Sequence, residues 1–161
     1  MKGLSIRRAT AADAGVLARH RADMFRDMGQ LTDDLRDTLV EAARAYFAAA
    51  VPDGRYVAWL AEAGGEIVGG AGLQLRELLP RPAPGDSRLV RGPQGLVMNV
   101  FTERAWRRRG VAAALLRELL RWCRASGIES VVLHASADGR PLYEKLGFTP
   151  TNEMRYGGAD G

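Results

Sequence analysis

The sequence predicts an α/β (α+β) domain in which helices cover the faces of a central sheet. Three observations carry that expectation. Apolar residues recur at spacings of three and four in long stretches, and they cluster in shorter, β-branched runs between them. Stretches and runs alternate along the chain, an order that places helices against a sheet. The 161 residues, 47 % hydrophobic and 26 % charged, suit one domain over 1–161 with a sizeable core, with neither an internal repeat nor a linker to split it.

Leu4 to Ala9 reads as a short first strand. Thr10, with Asp13 three residues on, resembles a helix-starting cap, and a helix should follow to about Asp27. A second helix is expected from about Asp33 to Val51. There Leu35, Leu39, Ala43, Tyr46, Phe47 and Ala50 fall at helical spacing, Asp34, Asp37, Glu41 and Arg44 lie mostly opposite, and Pro52-Asp53-Gly54 ends the run. Tyr56 to Leu60 and Glu66 to Leu75 form a hairpin around Gly64-Gly65. Gly69, Gly70 and Gly72 in its return strand mark a bulge or a close approach of backbone.

From Arg76 to Gly95 the prolines 80, 82, 84 and 93 and the glycines 85, 92 and 95 predict a long loop with no regular element. Leu96 to Phe101 suits a central buried strand. A helix is expected from about Arg109 to Ser126, with Val111, Leu115, Leu119, Trp122 and Cys123 on one stripe and Gly127 as its stop. Ile128 to His134 reads as another buried strand, Gly139 to Leu146 as a short helix, and Phe148 to Tyr156 as a last extended segment before a Gly-rich tail.

Composition excludes several chemistries. No window approaches the roughly 18 uninterrupted apolar residues of a membrane span, and the start lacks the apolar stretch of a secretion signal, so the protein is expected in the cytoplasm. One cysteine, Cys123, rules out an internal disulfide, and it lies on an apolar helix stripe that assigns it to packing. Two histidines, His20 and His134, leave a zinc site improbable, and no metal is expected. The net charge of +4 is unevenly spread. Arg104, Arg107, Arg108, Arg109, Arg117, Arg121 and Arg124 face only Glu103 and Glu118 in their segment, which points to an anionic partner, a phosphorylated cofactor or a nucleic-acid backbone. Between Ala11 and Glu41 the acids Asp13, Asp23, Asp27, Asp33, Asp34, Asp37 and Glu41 outnumber Arg19, Arg21, Arg26 and Arg36, which suits a cationic partner.

The chemistry concentrates in a strand, a short loop, Arg107-Arg108-Arg109-Gly110-Val111-Ala112, and a helix. Gly110 and Ala112 are small where the helix begins, so a ligand can approach the NH groups that the first turn leaves unpaired. Those groups and the positive end of the helix dipole bind phosphate, and the arginines add charge-assisted hydrogen bonds. No Gly-Lys-Ser/Thr follows, and the three-glycine dinucleotide spacing is missing, so the arrangement is neither a Walker loop nor a dinucleotide fingerprint.

These residues resemble the GNAT superfamily of acetyl-CoA-dependent N-acetyltransferases, whose signature is Arg or Gln, two residues, Gly, one residue, then Gly or Ala. Arg107, Gly110 and Ala112 fill it, Trp106 precedes it, and Pro141-Leu142-Tyr143-Glu144-Lys145-Leu146-Gly147-Phe148 is similar to the family's second hallmark, a Leu-Tyr pair followed by Gly-Phe. The likeness is clear over 96–148 and looser from Ile6 onward.

The resemblance implies a mixed, mostly antiparallel sheet of 6–7 strands, splayed between the fourth and fifth, with the pantetheine arm in the gap. Backbone from Met98, Asn99 and Val100 would pair with that arm, the Val100 NH facing the thioester carbonyl. Arg107, Arg108, Arg109, Gly110, Val111 and Ala112 would hold the pyrophosphate, and Ser136, where the family often has Asn, would contact the cofactor. Tyr143 would act as general acid on the leaving thiolate, with capping of its short helix as the plainer reading. His134, at a strand end near the splay, is the candidate base, with Glu103 and Glu66 weaker candidates and water sufficient on its own. Met24, Phe25 and Met28 fall at helical spacing and suit the core; the family's acceptor region would make them pocket residues. The implied reaction is direct transfer of the acetyl group of acetyl-CoA to a primary amine of a small molecule or peptide, in a ternary complex. The short stretch after Phe148 suggests a homodimer completing the sheet or a shortened edge. Two other classes stay open: a nucleic-acid-binding module using the Arg104–Arg124 segment, and a non-catalytic acyl-CoA sensor.

Overall fold

Arg7 on strand β1 (Leu4–Arg8) grips both oxygens of Asp13 at 2.9 Å, and the Asp13 carboxylate also accepts the Thr10 backbone NH at 2.8 Å. This joint turns the chain into α1 (Ala14–Asp27) in the computed structural model, which describes residues 3–157. There follow α2 (Asp33–Asp53), β2 (Tyr56–Ala63), β3 (Glu66–Glu77), β4 (Pro93–Thr102), α3 (Val111–Ala125), β5 (Ser130–Leu133) and α4 (Arg140–Lys145). The main sheet runs β1-β2-β3-β4-β5, antiparallel except for the β4–β5 pair. Parallel neighbours need a crossover, and α3 provides it.

Alternate side chains of β2 serve opposite faces. Val57, Trp59 and Ala61 meet Leu115, Leu116, Leu119 and Cys123 of α3, while Tyr56, Ala58 and Leu60 meet Leu17, Ala18, Ala43 and Phe47 of α1 and α2. Burial on both faces is why β2 reads as a continuous apolar run. Each fully buried leucine contributes about 1.5–3 kcal/mol of transfer free energy. Among the described residues no helix is long and apolar enough to cross a membrane.

The expected class stands, with corrections to its details. The central sheet has five strands instead of 6–7, because residues 149–157 form no strand; the tail at 158–161 lies outside the described residues. The stretch from Arg76 to Gly95 is more regular than its prolines suggest. β3 continues to Glu77, β4 starts at Pro93, and Arg81–Pro82 pairs with Leu89–Val90 in a two-residue ladder. Pro93 opens its strand and Pro82 sits in that minimal ladder, positions where a missing NH costs little. Pro52 lies inside the last turn of α2, and Gly54 ends the helix with φ 81°. The glycines of β3 serve both expected purposes. The β3–β4 register shifts between Gly70 and Gly72, a Cβ at Gly69 would lie 2.9 Å from the Phe101 carbonyl, and one at Gly72 would overlap the Tyr56 hydroxyl.

Candidate active site

Strand β4 is paired with β3 along its length but with β5 only from Gln94 to Val97. Beyond Val97 the two strands part, and the β4 backbone from Met98 to Thr102 has no strand on that side. Asn99, with φ 59°, carries the extra residue that shifts the register. Its side chain is buried, and its amide donates to the Leu17 carbonyl at 3.0 Å, so α1 holds the bulge in place. Asn99 therefore meets the cleft through its backbone, its side chain being committed to the core. A cleft of about 660 Å³ opens at this point.

Into this one cleft the fold brings Met24 and Phe25 from α1 and Met28 just after it, Met98, Asn99 and Val100 from β4, and Arg107, His134, Ser136 and Tyr143 from the later segments. A second hollow of about 430 Å³ continues from Val100 past Arg107, Arg108, Gly110, Val111 and Ala112 to Ser136 and Tyr143. Arg108 (φ 60°) and Gly110 (φ 82°) both take the left-handed conformation. They bring the chain sharply into α3, whose first-turn residues Val111, Ala112 and Ala113 line the hollow. Phosphate oxygens fit such a concavity.

The three arginines of the loop have different partners. Arg107 donates from Nε to the Thr102 carbonyl at 2.9 Å and from its terminal nitrogen to Asp27, which also holds Arg104 at 3.0 Å. These two guanidinium groups keep the Asp27 carboxyl below its usual range, Arg107 acting most strongly. Arg107 thus fastens the loop to α1. Arg109 lies over the Trp106 ring, 5.3 Å from its centroid, and lines neither hollow. Arg108 remains beside the helix start.

Tyr143 is half-buried on α4, its ring edge-on to Phe148 at 6.1 Å, and burial pushes its phenol above the ordinary tyrosine value. It stays protonated at neutral pH and can donate a hydrogen bond. A Cβ at Gly139 would lie 2.8 Å from the Tyr143 ring, so this glycine admits the ring. Ser136 Oγ accepts the Gly139 NH at 3.2 Å, fixing the turn into α4. His134, just past β5, donates from Nε2 to Glu153 at 2.6 Å, which leaves Nδ1 as its basic nitrogen. The two weaker candidates fall outside the cleft. Glu103 is paired with Arg19 at 2.7 Å, and Glu66 begins β3 at the hairpin end of the sheet. Cys123 is buried in the core, where burial pushes its thiol up to about 11. Among the described residues no group of histidine, cysteine and acid side chains could hold a metal.

Sequence reasoning passed over His20. It is fully buried on α1, its ring 4.9 Å from Phe101, and among the described residues neither ring nitrogen has a hydrogen-bond partner. Burial is the main reason its pKa falls to about 4. Its helical spacing from Leu17 places it on the inner face, the one available signal.

An open strand edge, a bulge beside the gap and a helix start suited to phosphate together suit an extended phosphorylated ligand. The chain belongs to the Acetyltransferase (GNAT) family, whose sequence model matches residues 21–148. It is 27 % identical to an aminoglycoside N(6')-acetyltransferase type 1 of Stenotrophomonas maltophilia, over 94 % of this chain and 90 % of that protein. A GCN5-related N-acetyltransferase from Ralstonia eutropha superposes with a TM-score of 0.84 at 30 % identity, covering 96 % of this chain and 97 % of that one. An acetyltransferase from Clostridium acetobutylicum solved with acetyl-CoA gives 0.78 at 27 % identity, over 95 % and 94 %.

Proposed function

We propose that the protein transfers the acetyl group of acetyl-CoA to a primary amine of a small molecule or peptide by direct attack. The observation that carries this reading is the β4 backbone after Val97, open on its β5 side, which lines two adjoining hollows shared with Arg107 and Tyr143, one of them reaching the α3 start. Met98 and Val100 offer backbone groups to the pantetheine amides in the manner of an added strand. The Val100 NH polarises the thioester carbonyl, and amides fixed in advance need no reorganisation as charge develops on that oxygen. Arg108 and the amides from Gly110 to Ala112 bind the pyrophosphate, with Arg107 fixing the loop that presents them.

Bound acetyl-CoA supplies the activated acyl group, and this chain's residues do the rest. Tyr143 gives its phenol proton, or a hydrogen bond, to the departing sulfur. The acceptor attacks as the neutral amine, and His134 Nδ1, directly or through water, takes the proton released. The ion pairs of Arg104 and Arg107 with Asp27 and of Arg121 with Glu118 occupy part of the basic segment within the chain, which favours this reading over nucleic-acid binding. Release of coenzyme A thiol, followed with acetyl-CoA and a panel of primary amines, tests it. Amine-dependent release above the buffer rate is expected. Acetyl-CoA binding with no release for any amine would favour the sensor reading instead.

A further inference from the structure

A further cavity, of about 270 Å³, lies between α1, α2 and the sheet, and it meets the main cleft at Arg21 and Met98, which line both. Leu39, Ala43, Phe47 and Met98 give it apolar walls. Its floor is polar and unfinished. Tyr56 lines it from a side chain only 2 % exposed, and its buried hydroxyl has no hydrogen-bond partner among the described residues. Leaving such a group unpaired is costly, and the fold has cleared room for the phenol, since only glycine at position 72 avoids its oxygen. Nearby, Gln74 donates to the Tyr46 hydroxyl at 3.0 Å, and Tyr46 keeps its own O–H to give.

Charge decides what enters. The acidic excess between Ala11 and Glu41, which suits a cationic acceptor on counting alone, is not offered to this cavity. Asp23 is held by Arg19, Arg26 and Arg36, and Asp27 by Arg104 and Arg107. Asp33, Asp34, Asp37 and Glu41 are exposed on α2 and line neither cavity. At the junction stands Arg21, stacked 4.9 Å over Phe25 and, among the described residues, in no ion pair. Its planar fork matches a carboxylate, a monoanion cheaper to desolvate beside these walls than a phosphate dianion, while a polycation would bring like charge to it.

We propose that the acceptor is an amine bearing a carboxylate and a compact apolar body, of the amino-acid type: Arg21 takes the carboxylate, and the Tyr56 cavity takes the body, including a polar tip where there is one. The proposal rests on the acetyl-transfer reading and names its substrate class.

Matched pairs that differ only by the carboxylate test it: L-phenylalanine against phenethylamine, L-tyrosine against tyramine and L-leucine against isopentylamine, with kanamycin as the polycation. At least one acid should exceed its partner and kanamycin in kcat/KM by about 10-fold or more, the scale of one charged hydrogen bond. Arg21→Gln should bring that ratio to about one, whereas Arg21→Lys, which keeps the charge, should preserve part of it. Higher kcat/KM for the carboxylate-free amines or kanamycin, a ratio that survives Arg21→Gln, or no turnover of any acid by protein that binds acetyl-CoA would overturn the assignment of substrate class alone. Absence of acetyl-CoA binding in calorimetry would overturn the acetyl-transfer reading, and this proposal with it.

Discussion

The side of the cleft proposed for the donor and the side proposed for the acceptor are built from different material. On the donor side, backbone makes the surface: the β4 strand after Val97, the Asn99 bulge and the first turn of α3. On the acceptor side, side chains from distant positions make it: Arg21, Tyr46, Tyr56, Gln74 and Met98 converge from two helices and three strands. Backbone can recognise one invariant ligand through local geometry alone, so its requirements condense into short runs of small residues. A cavity walled by side chains can be retailored by single substitutions while the donor side stays as it is. The difference fits a chain that is 27 % identical to an aminoglycoside N(6')-acetyltransferase while the cavity proposed for its acceptor has no carboxylate among its lining residues.

The largest expected effect isolates the donor side. Tyr143→Phe removes the proton donor to sulfur, and kcat should fall by about 100-fold or more while KM for acetyl-CoA changes little. Because burial raises this phenol, its loss of activity on the alkaline limb should appear above the ordinary tyrosine value of about 10. Equal kcat in the variant would leave Tyr143 as a packing residue against Phe148.

Next in size is the seam between the two sides, where His20 packs on Phe101. Folded His20 titrates near 4, whereas the unfolded chain takes up that proton at about 6.5. Stability from this site is therefore fully present above pH 6.5 and is lost as pH falls toward 4, by at most about 3 kcal/mol. Denaturant midpoints of the wild type and His20→Gln across that window check the sign: the wild type should lose more stability than the variant. A parallel decline would assign the acid sensitivity to other groups.

The smallest effect belongs to the acceptor side. Tyr56→Phe deletes a buried hydroxyl without a partner, so the variant should unfold at the same temperature as the wild type or slightly higher, by up to about 1 kcal/mol. A clear loss of stability would show that the hydroxyl has a partner in solution and that the cavity floor is complete without a ligand.

The same contrast governs what could be read in advance. The donor side was accessible because Arg107, Gly110 and Ala112, and then Leu142-Tyr143 with Gly147-Phe148, sit in contiguous strings whose spacing has a physical reason. The role of Arg107 was not, because its partner Asp27 lies 80 residues away. Tyr56 was absorbed into an apolar strand, and nothing local distinguishes a tyrosine packed in a core from one over an empty floor. The strand expected after Phe148 failed for a related reason: an extended residue pattern specifies a strand only where an edge accepts it.

The account rests most directly on the backbone cradle at the start of α3. Calorimetric titration with acetyl-CoA of the wild type and of Gly110→Val, with thermal unfolding to show that the variant is folded, tests it. Position 110 has φ 82°, so valine costs roughly 1–2 kcal/mol of strain and turns the first-turn amides away from the hollow. The account predicts one acetyl-CoA per chain for the wild type and an affinity weaker by about 10-fold or more in the folded variant. Equal affinities, or no binding by the wild type, would contradict it.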